Sequence, residues 1–286
     1  MSEGSLIHKN DPPLVRAGKA LLIYVVLGLG AFVVLGPFLW MLISSFTPDV
    51  ELMRSPPQLP SNPTLEQYEK ALTQIPYLTY LCNSVIVAVL VTVGTVLSSS
   101  LGAYAFGILR WPDRDWLFIA ILGTMMLPFQ VTMTPLFLMF RWLGWIDTLL
   151  PLIVPAYFGS AFNIFLLRQF FKGLPRDLLD AARVDGCSEW RIYWRIVMPL
   201  SGAAVATVSL LSFLGAWNDF QGPLIYIVSE SKKTLALGLY SFVAVKATEW
   251  GALMAAAVMM MIPAIVLFVL AEKYFVAGIQ LEGLKE

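Results

Sequence analysis

Residues 81–108 read LCNSVIVAVLVTVGTVLSSSLGAYAFGI, a stretch without a single Asp, Glu, Lys, Arg or His. It closes a longer charge-free run, 71–109. About 20 predominantly apolar helical residues cross a hydrocarbon core. Leu81 onward therefore reads as one spanning helix, and 71–80, with Pro76 and several Tyr, as its interfacial approach. Working outward, five more runs lack charge: 20–48, 116–140, 148–167, 196–218 and 250–271, each 20 to 29 residues long. Lipid offers no partner to an open backbone N–H or C=O, so spanning segments close their hydrogen bonds as helices. The alternating ten-residue segments of a β-barrel are absent. The expected fold class is an all-α integral membrane protein with six transmembrane helices. They are expected near 20–43, 81–108, 116–140, 148–168, 199–220 and 251–272. Pro128 and Pro135 remove donors inside the third and predict bends there. The first run is longer than a signal-peptide core and reads as a retained span.

The composition agrees. Apolar residues make up 58% and charged residues 13%, where soluble domains carry about 25% charge. The 19 basic and 19 acidic residues balance, which excludes a strongly basic nucleic-acid binder. His8 is the only histidine, so a His-rich metal centre is excluded. Cys82 and Cys187 suggest no disulfide framework; one reads as a buried small side chain, the other as an incidental thiol.

Basic residues set the orientation. With a cytoplasmic N-terminus, thirteen Lys and Arg fall on inside segments and six outside. Both termini then face the cytoplasm. The domain reading is an N-terminal cytoplasmic segment 1–19, a membrane domain 20–272 and a cytoplasmic tail 273–286. The extracytoplasmic loop 47–80 is stiffened by Pro48, Pro56, Pro57, Pro60 and Pro63 and ends in a short surface helix near 64–73. The dominant inside loop is 169–198.

That loop reads RQFFKGLPRDLLDAARVDGCSEWRIYWRIVMPL from Arg168 to Leu200. Pro175 suits a helix start and Gly186 a helix stop. Leu178, Ala181, Ala182 and Asp185 share one side. Ser188 can cap a second helix with an apolar stripe of Trp190, Tyr193, Trp194 and Val197. Pro199 marks entry to the fifth span. The residues alone allow an amphipathic loop lying on the inner surface or a rigid knob for a partner protein.

The same loop resembles the cytoplasmic signature of permease subunits of ABC importers. That signature is Glu-Ala-Ala, three residues, Gly, nine residues, Ile, one residue, Leu-Pro. Asp180, Ala181, Ala182, Gly186, Ile196, Met198 and Pro199 meet every spacing, with Asp for Glu and Met for Leu. Further stretches resemble the carbohydrate-uptake branch, in particular its MalG-like subunits. They are LPSNPTLEQYEKAL (59–72), RWPDRDWLF (110–118), MLPFQVTMTPLF (126–137), LRQFFKGLP (167–175) and KYFVAGIQLEGLKE (273–286). The resemblance implies a type I ABC importer permease fold in a bacterial or archaeal cytoplasmic (inner) membrane. It implies a coupling helix, Asp185 included, seated in a cytoplasmic ATPase subunit. It also implies a second, MalF-like permease subunit, two ATPase subunits, an extracytoplasmic solute-binding protein, a carbohydrate substrate and a tail that can reach the ATPases.

The residues fit these implications. No GxxxxGK[ST] loop is present, so ATP and Mg belong on a partner and this chain is expected to bind no cofactor itself. The chain is expected to do no covalent chemistry. Within the membrane, Gly94, Ser98 and Gly102 recur at intervals of four, a spacing for close helix approach; Gly251, Ala255 and Met259 suggest a similar face. Asn83, Gln130, Thr134, Asn163, Asn218 and Asp219 are the polar groups available to a translocation pathway. Other readings are an importer of glycerol phosphate, a stand-alone secondary transporter and a membrane-embedded enzyme. The last lacks HExxH and convergent charge; the secondary transporter lacks clear internal repeats.

Overall fold

The computed structural model describes residues 12–53, 59–243 and 249–282. His8 lies outside these. Among the described residues every regular element is helical. In chain order they are α1 (Pro13–Ser44), α2 (Asp49–Leu52), α3 (Glu66–Thr73), α4 (Tyr77–Gly107), α5 (Arg114–Thr124), α6 (Phe129–Trp142) and α7 (Leu150–Ile153). Next come α8 (Ala161–Lys172), α9 (Arg176–Val184), α10 (Glu189–Ile192), α11 (Met198–Leu200) and α12 (Gly202–Trp217). The last are α13 (Gln221–Tyr226), α14 (Leu235–Leu239) and α15 (Trp250–Glu282). A 3-10 turn, Val154–Phe158, links α7 to α8, and a π-helical stretch, Tyr193–Val197, links α10 to α11.

Four helices are long and apolar enough to cross a membrane: Ala17–Ser44, Tyr77–Gly107, Leu150–Lys172 and Trp250–Glu272. Two bent pairs make up to six: α5 with α6 at 93°, and α10–α11 with α12 at 81°. The expected boundaries shift in physical ways. The second span begins at Tyr77, directly after Pro76, so the interfacial approach is helical already. In the third, Pro128 precedes α6 in extended geometry and breaks the span, while Pro135 is accommodated inside α6. The fifth begins at Gly202, because Pro199 continues the loop helix and the chain turns at Ser201.

The chain divides into two compact units. The first comprises Met1–Ala71 and Val243–Met259. In it the Tyr68 and Ser45 hydroxyls hydrogen-bond at 2.8 Å, and Gln67 Nε2 donates to the Thr47 carbonyl at 3.2 Å. Asp49 accepts from Lys70 at 2.9 Å and from the Gly251 N–H at 3.2 Å. Ala252, Ala255 and Ala256 are fully buried, which extends the small-residue face expected on the sixth span.

The second unit comprises Leu72–Phe242 and Met260–Glu286, with α4 at its centre, packed on α8, α12 and α14. A Cβ on Gly94 would lie 2.6 Å from the Tyr157 ring, so only glycine allows this approach. One turn on, Ser98 Oγ donates to the Ala156 carbonyl at 2.9 Å. The interval-of-four pattern is thus a packing seam.

Candidate functional site

Pro175 opens α9, and Gly186, at φ +78°, stops it in the left-handed region that a side chain disfavours. Ser188 Oγ accepts from the Arg191 N–H at 3.4 Å and starts α10. The loop is therefore built as its residues suggest, but its packed faces differ in detail. Leu179 and Ala182 are buried, whereas Leu178, Ala181 and Asp185 form an exposed side. In the second helix Ile192, Tyr193 and Val197 are buried; Trp190 and Trp194 point outward, at 61% and 42% exposure. At about 100° per residue Ile192, Tyr193 and Val197 fall on one face, and Trp190 and Trp194 lie at its outer edge.

Buried residues of α4, α8, α9, α10 and α12 form one cluster, including Ala103, Leu167, Phe171, Leu179, Ile192 and Val208. Polar ties fix the loop to α4. Tyr104 donates to the Glu189 carboxylate, and the Tyr193 and Ser100 hydroxyls pair at 2.7 Å. Arg183 bridges Asp180 at 2.6 Å and Glu189 at 2.8 Å. The hydrogen bond that Arg183 donates to Glu189 leads in pushing its pKa further up, so the guanidinium stays charged. Arg168, 7% exposed, donates to the Phe106 carbonyl at 2.9 Å and to Asp115 at 3.1 Å; it sits 3.9 Å over the Phe118 ring. The ties of Tyr104, Tyr193 and Arg168 could not be read from spacing, since each joins residues distant in the chain, whereas those of Arg183 are local.

Of the signature residues, Asp180, Ala181, Asp185, Gly186 and Pro199 are exposed, Ile196 and Met198 are half-buried, and Ala182 is packed inward. The loop thus offers a stiff outward ridge on a buried base.

The six polar pathway positions are not gathered in one place. Asp219 lines a cavity of about 340 Å³ with Gln221, Tyr226, Phe129 and Pro155, and a second of about 260 Å³ with Val87 and Ala216. Its Oδ1 accepts from the Gly222 N–H at 3.0 Å. Tyr226, which pattern reasoning missed, presents a buried hydroxyl without a hydrogen-bond partner among the described residues. Gln130, Thr134 and Asn218 are exposed. Asn163 donates to Ser160 Oγ at 3.1 Å, and its buried Oδ1 has no partner among the described residues. Asn83 donates to the carbonyls of Ser231 and Lys233 at 3.0 and 2.9 Å, a brace between α4 and the loop after α13. Nearby, Asp147 (φ +60°) accepts from the N–H groups of Val228 and Ser229 at 3.0 and 2.7 Å and from the Ser229 hydroxyl. Those Ser229 and Val228 hydrogen bonds hold its carboxyl well below the ordinary range. Neither cysteine is buried: Cys82 is exposed and Cys187 half-buried, and both are free. Among the described residues no group of three His, Cys, Asp or Glu could hold a metal.

A helical membrane domain with bent spans, an apolar cavity and a braced outward loop defines a permease subunit of an ABC importer. The chain belongs to the family of binding-protein-dependent transport system inner membrane components, whose model matches residues 94–280. It is 34% identical to the arabinooligosaccharides transport permease AraQ of Halalkalibacterium halodurans, over 89% of this chain and 92% of that one. It is also 34% identical to the trehalose/maltose transport permease MalG of Thermococcus litoralis, over 93% and 97%. The solved structure of a bacterial ABC transporter involved in alginate import matches with a TM-score of 0.80. Identity there is 25%, and the match covers 93% of this chain and 99% of that one. The chain is therefore a non-catalytic transport subunit, and its family implies an assembly of paired permeases, ATPase and binding protein.

Proposed function

We propose that this chain forms half of the translocation pathway of an ATP-driven importer of a sugar or sugar-like solute. A second, MalF-like permease subunit completes the pathway, two cytoplasmic ATPase subunits drive it, and an extracytoplasmic binding protein delivers the solute. Both termini and the loop 169–198 face the cytoplasm. The observation that carries this reading is the exposed ridge of Leu178, Ala181 and Asp185 on a base buried against α4 and α8. Such a ridge transmits a push instead of absorbing it, because its base is packed and tied by Tyr104, Glu189 and Arg183. The two ends of the cycle are states of different affinity for ATPase closure and for loaded binding protein, and their populations shift accordingly. The relatives named for oligosaccharides and the alginate transporter support a carbohydrate as solute. The cavity at Asp219, Gln221 and Tyr226 supports it too: apolar walls with a few polar groups suit a sugar ring.

The test is Gly186→Val in the complete transporter, reconstituted in liposomes with its binding protein. At φ +78° a β-branched residue strains the turn, at about 1–3 kcal/mol. The expected result is ATP hydrolysis with solute uptake lowered at least tenfold. Normal uptake by this variant overturns the coupling role of the loop.

A further inference from the structure

The ends of α4 and α8 and the start of α9 enclose a recess that the transport reading does not use. It is lined by Gly107, Arg110, Lys172, Arg176, Leu179 and Arg183 among others. Arg183 is committed to Asp180 and Glu189, and Asp180, the one carboxylate in the lining, is committed to Arg183. Arg110, Lys172 and Arg176 are exposed, and among the described residues none of them forms an ion pair. Three cations outside any ion pair thus converge where two spans end, beside Arg114, which is paired with Asp115; Lys172 acts on that same carboxylate only through space. The recess holds about 50 Å³, against about 340 Å³ for the cavity at Asp219, so it suits a small group and not a solute molecule. At about 100° per residue, Arg176, Leu179 and Arg183 lie on the face of α9 opposite Leu178, Ala181 and Asp185. The recess therefore looks away from the ridge proposed to meet the ATPase.

We propose that this recess binds the phosphate headgroup of an anionic phospholipid. Two observations place it at headgroup level. It adjoins the last residues of α4 and α8, both candidate spans. It also neighbours a second recess lined by Arg110, Trp111, Asp113, Arg114, Asp115 and Trp116, where Asp115 is paired with Arg114 and Trp116 is 69% exposed. Tryptophan beside arginine is the side-chain pair of a membrane–water interface. Cations at this level attract anionic headgroups additively. The leaflet follows from the orientation proposed above; the site does not depend on it. A bound lipid would brace the base of α9 against α4 and α8.

The test is native mass spectrometry of the full chain after exchange into phosphatidylglycerol or phosphatidylcholine, with a parallel arm of inorganic phosphate. The expected result is retention of phosphatidylglycerol over phosphatidylcholine by at least tenfold, with phosphate failing to displace it at millimolar concentration. Retention falls about fivefold for each charge removed in the series Arg110→Gln, Lys172→Gln and Arg176→Gln. A control with Arg141→Gln, Arg191→Gln and Arg195→Gln keeps wild-type retention. Equal retention of the two lipids overturns the proposal, as does equal loss in the control. Displacement by free phosphate reassigns the recess to a soluble anion and overturns the lipid. The wild-type selectivity arm needs no variant to fold. None of the arms reads transport, so failure here leaves the transport reading standing.

Discussion

Arg168 shows how a single charged residue survives burial. Its guanidinium meets a carbonyl, a carboxylate and an aromatic face, so the charge is solvated by protein instead of water. Arg168→Met keeps the volume and removes all three contacts. The expected cost is about 1–3 kcal/mol, read as a lowered midpoint of thermal unfolding in detergent; Arg168→Lys should recover only part, since it lacks the planar fork. Asp147 works by charge at the other end of the unit. Its folded pKa lies below that of a free Asp, about 3.9. The stability it contributes is therefore present above about pH 4 and lost as pH falls through the lowered folded value. Wild-type unfolding midpoints should drop on acidification below about pH 4. Asp147→Asn should start lower at neutral pH and show a shallower acid slope. Identical slopes would remove the charge from the account of this knot.

At the scale of elements, the seam along α4 replaces the force that water supplies elsewhere. Lipid tails are as apolar as Leu, so helices in a bilayer gain little from apolar burial and depend on close fit. Gly94 against Tyr157 and Ser98 against the Ala156 carbonyl supply that fit. Gly94→Leu places atoms inside the Tyr157 ring, and overpacking of this kind costs about 1–3 kcal/mol. The double variant Gly94→Leu/Tyr157→Ala should be more stable than Gly94→Leu alone. Additive losses would show that the two helices meet elsewhere. The breaks matter as much as the spans. Pro128 and the turn at Ser201 divide two spans at 93° and 81°. The second bend joins the loop helix directly to α12, the span that ends beside Asp219.

For the whole molecule, much of the surface demands other material. Leu21, Leu22, Val33, Val34 and Phe32 of α1 are all more than 60% exposed, as are Met126 and Phe158. Apolar surface on this scale marks contact with lipid or with another subunit, as expected of one part of an assembly. The orientation is tested by placing a single cysteine at Arg176 and another at Glu230, in a background with Cys82 and Cys187 replaced by Ser. Membrane-impermeant maleimide applied to intact cells should label the Glu230 position and spare Arg176. Labelling of Arg176 from outside would reverse the topology and with it the docking side of the loop.

The class of this protein was legible in its sequence because missing charge is a local property. Six charge-free runs of spanning length mark six places where a backbone must close on itself, whatever surrounds them. The loop was legible too, since Pro175, Gly186 and Ser188 act within a turn or two of their own position. Faces and partners were not. Which of Leu178 or Leu179 turns inward, why Trp190 and Trp194 stay exposed and where Arg168 finds its three contacts depend on helices distant in the chain. The pathway residues divide the same way. Side-chain polarity singled out Asn83 and Asp219 alike, and only tertiary packing made one a brace and set the other in a cavity. Backbone hydrogen bonding and turn geometry are short-range and written residue by residue. Burial and pairing are long-range, and they exist only once the chain has folded back on itself.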